Sequence, residues 1–198
     1  LSFPENPDNL AKLSQGVTTV VVGNCGFSMY PIVPETKSLS TAYLASLSKY
    51  VTEGDVAPSI SHYSTLLEAK GLTTNVASLV GHGAIRIAAM GYDPGPPSRE
   101  RMSKMKWFLG EAMEGGAFGL SIGLIYAPGS FADTAELREL AKTVGEYGGF
   151  LAAHIRTYGT CLLESIQELL QILRKAKVPG QVSHLEAVGL IGIEPLFS

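Results

Sequence analysis

The 198-residue chain has a formal net charge of −3, with 17% charged and 45% hydrophobic residues. That is too apolar for a disordered chain, and the charge argues against a nucleic-acid or anionic-membrane surface. The length suits one domain or a large part of one, and two cysteines, Cys25 and Cys161, are too few for a disulfide framework. A reduced, cytoplasmic setting is the expectation. Every apolar stretch is shorter than the ~20 residues that a membrane-spanning helix requires. The start, Leu1-Ser2-Phe3-Pro4-Glu5-Asn6-Pro7, has neither an initiator Met nor a basic signal region, so a fragment or processed chain is expected.

In chain order, Asp8 to Gln15 carries a short helical pattern that Gly16 would stop. Val17 to Val22 is β-branched throughout, as a fully buried parallel strand requires. Gly23 to Pro34 is a Gly/Pro-rich loop containing Cys25. Leu39 to Val51 repeats its apolar residues at helical spacing, and Ile60 to Lys70 predicts another helix ended by Gly71. Thr73 to Val80 predicts a second buried strand, leading into Gly81-His82-Gly83. Ser98 then caps a helix running to Met113, with Glu100 placing a negative charge in its first turn. Ala117 to Gly123 is a third strand, and Asp133 to Tyr147 an amphipathic helix closed by Gly148-Gly149. Strand Phe150 to His154, helix Cys161 to Lys177 and strand Gln181 to His184 complete the series.

This strand–helix alternation, five times over, predicts an α/β fold with parallel strands and right-handed crossovers. An eight-stranded (β/α)8 barrel typically needs ~250 residues. Either the sheet is open or these units are the middle of a larger barrel, whose exposed strand edges would invite self-association.

Cys25, His154 and His184 each stand at the end of a short apolar run. A thiol and two imidazoles are zinc-ligating groups, and strand ends are where a parallel barrel gathers its catalytic groups. The histidines are about one βα unit apart in sequence, which puts them on neighbouring strands ~4.8 Å apart. Three such ligands leave a fourth position for water. The competing reading is a hydrogen-bonded structural histidine at each strand end and a cysteine acting as a small hydrophobe.

His82 follows a strand too, with a supporting or loop-ordering role as its expectation. Arg156 comes two residues after His154 and, on an extended strand, would share its face. There it would clamp a substrate carboxylate, with a surface salt bridge as the alternative. Tyr126 lies just past the third strand and would line the same mouth. Cys161 reads as core and His62 as surface. Gly23 and Gly26 lack the spacing of a phosphate-binding loop.

Five segments resemble the N-acyl-D-amino-acid deacylase (D-aminoacylase) family of the amidohydrolase superfamily. They are Gly16-Val17-Thr18-Thr19-Val20-Val21-Val22-Gly23-Asn24-Cys25-Gly26-Phe27-Ser28; Leu79-Val80-Gly81-His82-Gly83 with Arg86; Gly116-Ala117-Phe118-Gly119-Leu120-Ser121-Ile122-Gly123-Leu124-Ile125-Tyr126; His154-Ile155-Arg156-Thr157; and Val182-Ser183-His184-Leu185. The resemblance implies a metal-dependent (β/α)8 barrel, of which this chain would be the central part. It implies hydrolysis of N-acyl-D-amino acids to a carboxylate and a D-amino acid. The implied zinc ligands are Cys25, His154 and His184, for one or two ions, with Tyr126 at the substrate pocket. A related possibility is a cyclic-amide hydrolase of the hydantoinase or dihydroorotase kind, and one of another class is a non-catalytic metal-binding part-barrel.

The family's first-strand His-x-His pair and its proton-shuttling aspartate on the eighth strand fall outside this sequence, so none of its residues is assigned as the general acid/base. A small flanking β domain is also expected to lie outside it. Where members usually carry Lys two residues after the second ligand histidine, this chain has Glu186, and the tail from Leu190 to Ser198 matches no expected segment.

Overall fold

The computed structural model describes residues 10–48 and 50–188. Residues Asp8 and Asn9, position 49 and the divergent tail lie outside the described residues.

Five strands form one parallel sheet in the order β1-β2-β3-β4-β5. They are β1 (Thr19–Val22), β2 (Asn75–Gly81), β3 (Gly119–Gly123), β4 (Phe150–His154) and β5 (Gly180–Val182). Sequence order equals spatial order, as in one side of a (β/α)8 barrel. The central strands are apolar because both faces are covered: all of β3 is buried, as are four of the five residues of β4.

The helices are α1 (Leu10–Leu13), α2 (Lys37–Ala45), α3 (Ile60–Ala69), α4 (His82–Met90), α5 (Arg99–Glu114), α6 (Thr134–Glu146) and α7 (Leu162–Ala176). Consecutive helices from α4 to α7 pack side by side against the sheet. Their starts are chemically marked. Ser59, Ser98 and Asp133 each accept a hydrogen bond from a first-turn N–H of α3, α5 and α6. The core between helices and strands is built from side chains such as Leu79, Ile85, Met105, Leu109, Leu120 and Leu140, all fully buried.

The expected elements shift in several places. The strand expected fully buried over Val17 to Val22 forms only from Thr19, with Val20 its one buried residue, and the strand expected to reach His184 ends at Val182. The predicted helix from Leu39 to Val51 forms only from Lys37 to Ala45. The expected Asp8–Gln15 helix has just Leu10–Leu13 as its helical part. Helix α4, which starts within the Gly81-His82-Gly83 segment that follows the second strand, was not anticipated. Cys161, expected in the core, is exposed at the cap of α7, because the apolar face of that helix begins with Leu162.

All five strands run the same way, so their C-terminal ends share one edge. Onto that edge project the loop with Cys25, then His82, Tyr126, His154 and His184.

Candidate metal centre

The Cys25 loop leaves β1 through a tight backbone. Cys25 has φ of 56°, left-handed and unusual for a residue with a side chain. Such a conformation costs on the order of 1 kcal/mol and persists only where neighbours fix it. They do so from three sides. Ser121 Oγ on β3 accepts from Gly26 N–H at 3.0 Å and donates to the Gly23 carbonyl. Gly26 C=O accepts from Gly83 N–H of α4 at 3.0 Å and from the Tyr43 hydroxyl of α2 at 3.2 Å. Gly123, at the end of β3, lies so close that a Cβ there would collide with the Cys25 carbonyl.

His154 is the last residue of β4, paired in register with Gly123 of β3. It is buried, and neither ring nitrogen has a hydrogen-bond partner. His184 comes two residues after β5, beyond the Ser183 N–H that donates to Ala153 C=O at 2.8 Å.

Across these loops Cys25 Sγ lies 3.4 Å from His184 Nε2, and the two imidazole centroids are 4.9 Å apart. One donor atom from each of Cys25, His154 and His184 falls within 4.8 Å of the other two. Tetrahedral zinc with bonds of about 2.0–2.3 Å separates its ligand atoms by about 3.3–3.8 Å. The trio is therefore near that spacing before any ion is considered, and two buried, unpartnered imidazole nitrogens suit the same purpose.

The electrostatics agree. Burial, then the neighbouring His184, pushes His154 below the ordinary histidine value, with Glu186 opposing. Its neutral form is the ligating form. Burial pushes the Cys25 thiol up, so a cation is needed to draw off its proton.

Two phenols flank His154. Tyr126 lies 5.0 Å away by ring centroids and is braced edge-on by Phe27 at 5.3 Å. Tyr158 stands edge-on to His154 at 5.1 Å. Tyr158 was not singled out from sequence, because it sits in the loop after β4, where strand alternation no longer says which way a side chain points. A cleft of about 280 Å³ opens beside Cys25, lined also by Asn24, Phe27, Ser28 and Lys12. His154 and His184 lie outside its lining.

The remaining expected residues lie apart from the trio's bonding. His82 begins α4, fully buried, with Nε2 2.8 Å from Glu136 Oε1 of α6. Arg86 Nε lies 3.7 Å from the same oxygen, and its Nη atoms donate to the Pro128, Asp93 and Gly95 carbonyls. His82, Glu136 and Arg86 thus link α4 to α6 and secure the segment just after Tyr126. No hydrogen bond joins His82 to the trio among the described residues.

Arg156 is not on the face of His154: β4 ends at His154, and Arg156 lies in a bend beyond it. Its guanidinium pairs with Glu168 of α7, Nε–Oε2 at 2.8 Å and Nη2–Oε1 at 3.1 Å, and also donates to the Ala132 and Ser130 carbonyls. That is the salt-bridge alternative, half-buried. His62, expected at the surface, is exposed beside its cap residue Ser59.

No family model matches the chain. An N-acyl-D-glutamate deacylase of Alcaligenes xylosoxydans xylosoxydans is 36% identical over 185 residues, covering 93% of this chain and 36% of that relative. A D-aminoacylase of the same organism is 33% identical over 182 residues, 92% of this chain and 37% of its own length. Among solved structures, the N-acyl-D-glutamate deacylase of Bordetella bronchiseptica, complexed with zinc and a phosphonate mimic of the tetrahedral intermediate, superposes with a TM-score of 0.83. It is 39% identical, over 93% of this chain and 38% of that one. A D-aminoacylase structure concerned with a binuclear metal centre, its one-metal activation and second-metal attenuation, gives 0.82 at 29% identity, over 96% of this chain and 39% of that one. The chain spans a little over a third of the length of these relatives. The five parallel strands are accordingly a half-barrel of the TIM-barrel amidohydrolase type, and this chain belongs to the D-aminoacylase family of amidohydrolases.

Proposed function

We propose that these residues form the metal-binding half of a zinc-dependent N-acyl-D-amino-acid deacylase, which hydrolyses the substrate amide to a carboxylate and a D-amino acid. The observation that carries this reading is the convergence of Cys25, His154 and His184 to within 4.8 Å at the C-terminal edge of a parallel half-barrel. Cys25 and the two histidines would hold one or two zinc ions. Bound zinc polarises a carbonyl and makes water a nucleophile near neutral pH.

Around that centre the chain's own residues have separate tasks. Burial keeps His154 neutral and available as a ligand. The Ser121 and Gly26 hydrogen bonds hold Cys25 in its left-handed backbone. Tyr126, braced by Phe27, gives the substrate an aromatic wall with a hydroxyl. Arg156 is held by Glu168, so any contact with a substrate carboxylate would share a guanidinium already in use.

The 198 residues are read as the central part of a single barrel domain, supported by consecutive strand order and the fraction of each relative covered. No helix among the described residues is long and apolar enough to cross a membrane. The unpaired thiols of Cys25 and Cys161 suit a reducing compartment such as the cytoplasm.

A second reading, metal binding without turnover, is favoured by one observation: none of the trio's donors is a carboxylate that could take a proton from water. One assay separates the two. A zinc-loaded full-length version, of which this chain is read as the central part, is incubated with N-acetyl-D-amino acids, their L-enantiomers and hydantoins, and amine release from the amides and N-carbamoyl-amino-acid formation from the hydantoins are followed. Hydrolysis confined to the D-amides is the expected result. Zinc uptake without hydrolysis supports the second reading, and preferential hydantoin opening redirects the assignment to cyclic amides.

A further inference from the structure

Tyr158 is buried, 5% exposed, in the loop after β4. Its ring meets His154 edge-on, with centroids 5.1 Å apart and planes 89° to each other, and its centroid is 6.4 Å from that of His184. It thus packs against two of the three converging donors. Tyr126 packs against His154 as well, so two phenols border one imidazole. The Tyr158 hydroxyl is buried and makes no full hydrogen bond among the described residues, although the Ile155 backbone N–H bears on its oxygen. Among the described residues its proton therefore has no acceptor.

A buried hydroxyl without an acceptor is costly, and native structures rarely keep one unless a ligand or water completes it. A donor in a dry pocket is most effective against an oxygen that gains negative charge during reaction.

We propose that Tyr158 is a substrate-contacting residue of this centre, whose hydroxyl donates a hydrogen bond to the acyl carbonyl oxygen beside Cys25, His154 and His184. The assignment rests on the deacylase reading above and deepens it. Tyr158 is a donor to the acyl oxygen, distinct from any group that holds the metal.

The test uses Tyr158→Phe, which keeps the ring packing and removes only the hydroxyl. Zinc affinity of the wild-type chain and the variant is measured by competition with a chromophoric chelator. Binding of acetohydroxamate, a small acyl mimic with hydrogen-bond-accepting oxygens, is then measured on the zinc-loaded forms. Zinc affinity is expected to stay within about twofold and acetohydroxamate to bind about 10-fold more weakly to the variant, the effect of losing a hydrogen bond to a charged oxygen. Equal acetohydroxamate affinity, or no acetohydroxamate binding to the zinc-loaded wild type, overturns the role of Tyr158 and leaves the metal assignment standing. Joint loss of zinc affinity and thermal stability makes the hydroxyl structural and also overturns it. Failure of the wild-type chain to take up zinc removes both readings together.

Discussion

His154 is kept neutral by its surroundings, and that has a thermodynamic consequence for the metal-free chain. Its folded-state pKa lies below the ordinary value of 6.5, because burial and His184 both disfavour the imidazolium. As pH falls below about 6.5, the unfolded chain takes up a proton that the folded chain resists, so stability drops. Urea unfolding at pH 7.5 and 5.5 should show the loss, and His154→Phe should reduce it; a pH-independent midpoint would contradict the account. At this scale the sequence was informative wherever a residue sat at a strand end. His154 closes an apolar run, and register with Gly123 then fixes where it points. Arg156 was misread because alternation was carried two residues past the end of β4. Tyr158 escaped notice for the same reason: loop direction is set by packing against His154, which periodicity does not encode.

Among the elements, α4 shows how a buried helix hides in a sequence. Residues His82 to Ala88 are all buried, so the polar stripe that marks a surface helix is missing. Its polar residues instead face inward, to Glu136 of α6. Removing one partner of a buried charged network leaves the other uncompensated, typically at a cost of about 3–5 kcal/mol. Glu136→Ala is therefore expected to destabilise the chain by about 3 kcal/mol in chemical denaturation, because Arg86 and His82 lose their shared oxygen. A change below about 1 kcal/mol would mean that this link between α4 and α6 matters little. Helices α5 and α6, by contrast, were legible almost to the residue, because Ser98 and Asp133 mark their starts and glycines follow their ends. Helix α2 fell short of its prediction: the periodic apolar residues Leu47 and Tyr50 are exposed rather than packed, so tertiary contact did not extend the helix.

For the molecule as a whole, strand–helix alternation made the parallel sheet and its consecutive order readable, since right-handed crossovers leave few other arrangements. The convergence of Cys25 with His184 was less readable, because they follow the first and last strands of the described sheet, which are not neighbours in its order. Those same strands are the edges of the described sheet, where Val21 of β1 is 51% exposed, and in the segment after β5 Leu185 is 72% and Val188 61% exposed. Edges of this kind pair with other chains. The chain is expected to self-associate with rising concentration in light scattering, whereas a monomer at all concentrations would contradict that expectation. The central claim is that three residues from distant parts of the sequence make one metal site, and zinc content per chain tests it most directly. Metal analysis after dialysis should find at least one zinc per wild-type chain, and a loss of about 100-fold or more in zinc affinity in each of Cys25→Ala, His154→Ala and His184→Ala, a ligand being worth several kcal/mol of binding energy. Zinc retained undiminished by all three variants, or absent from the wild-type chain, would contradict the account.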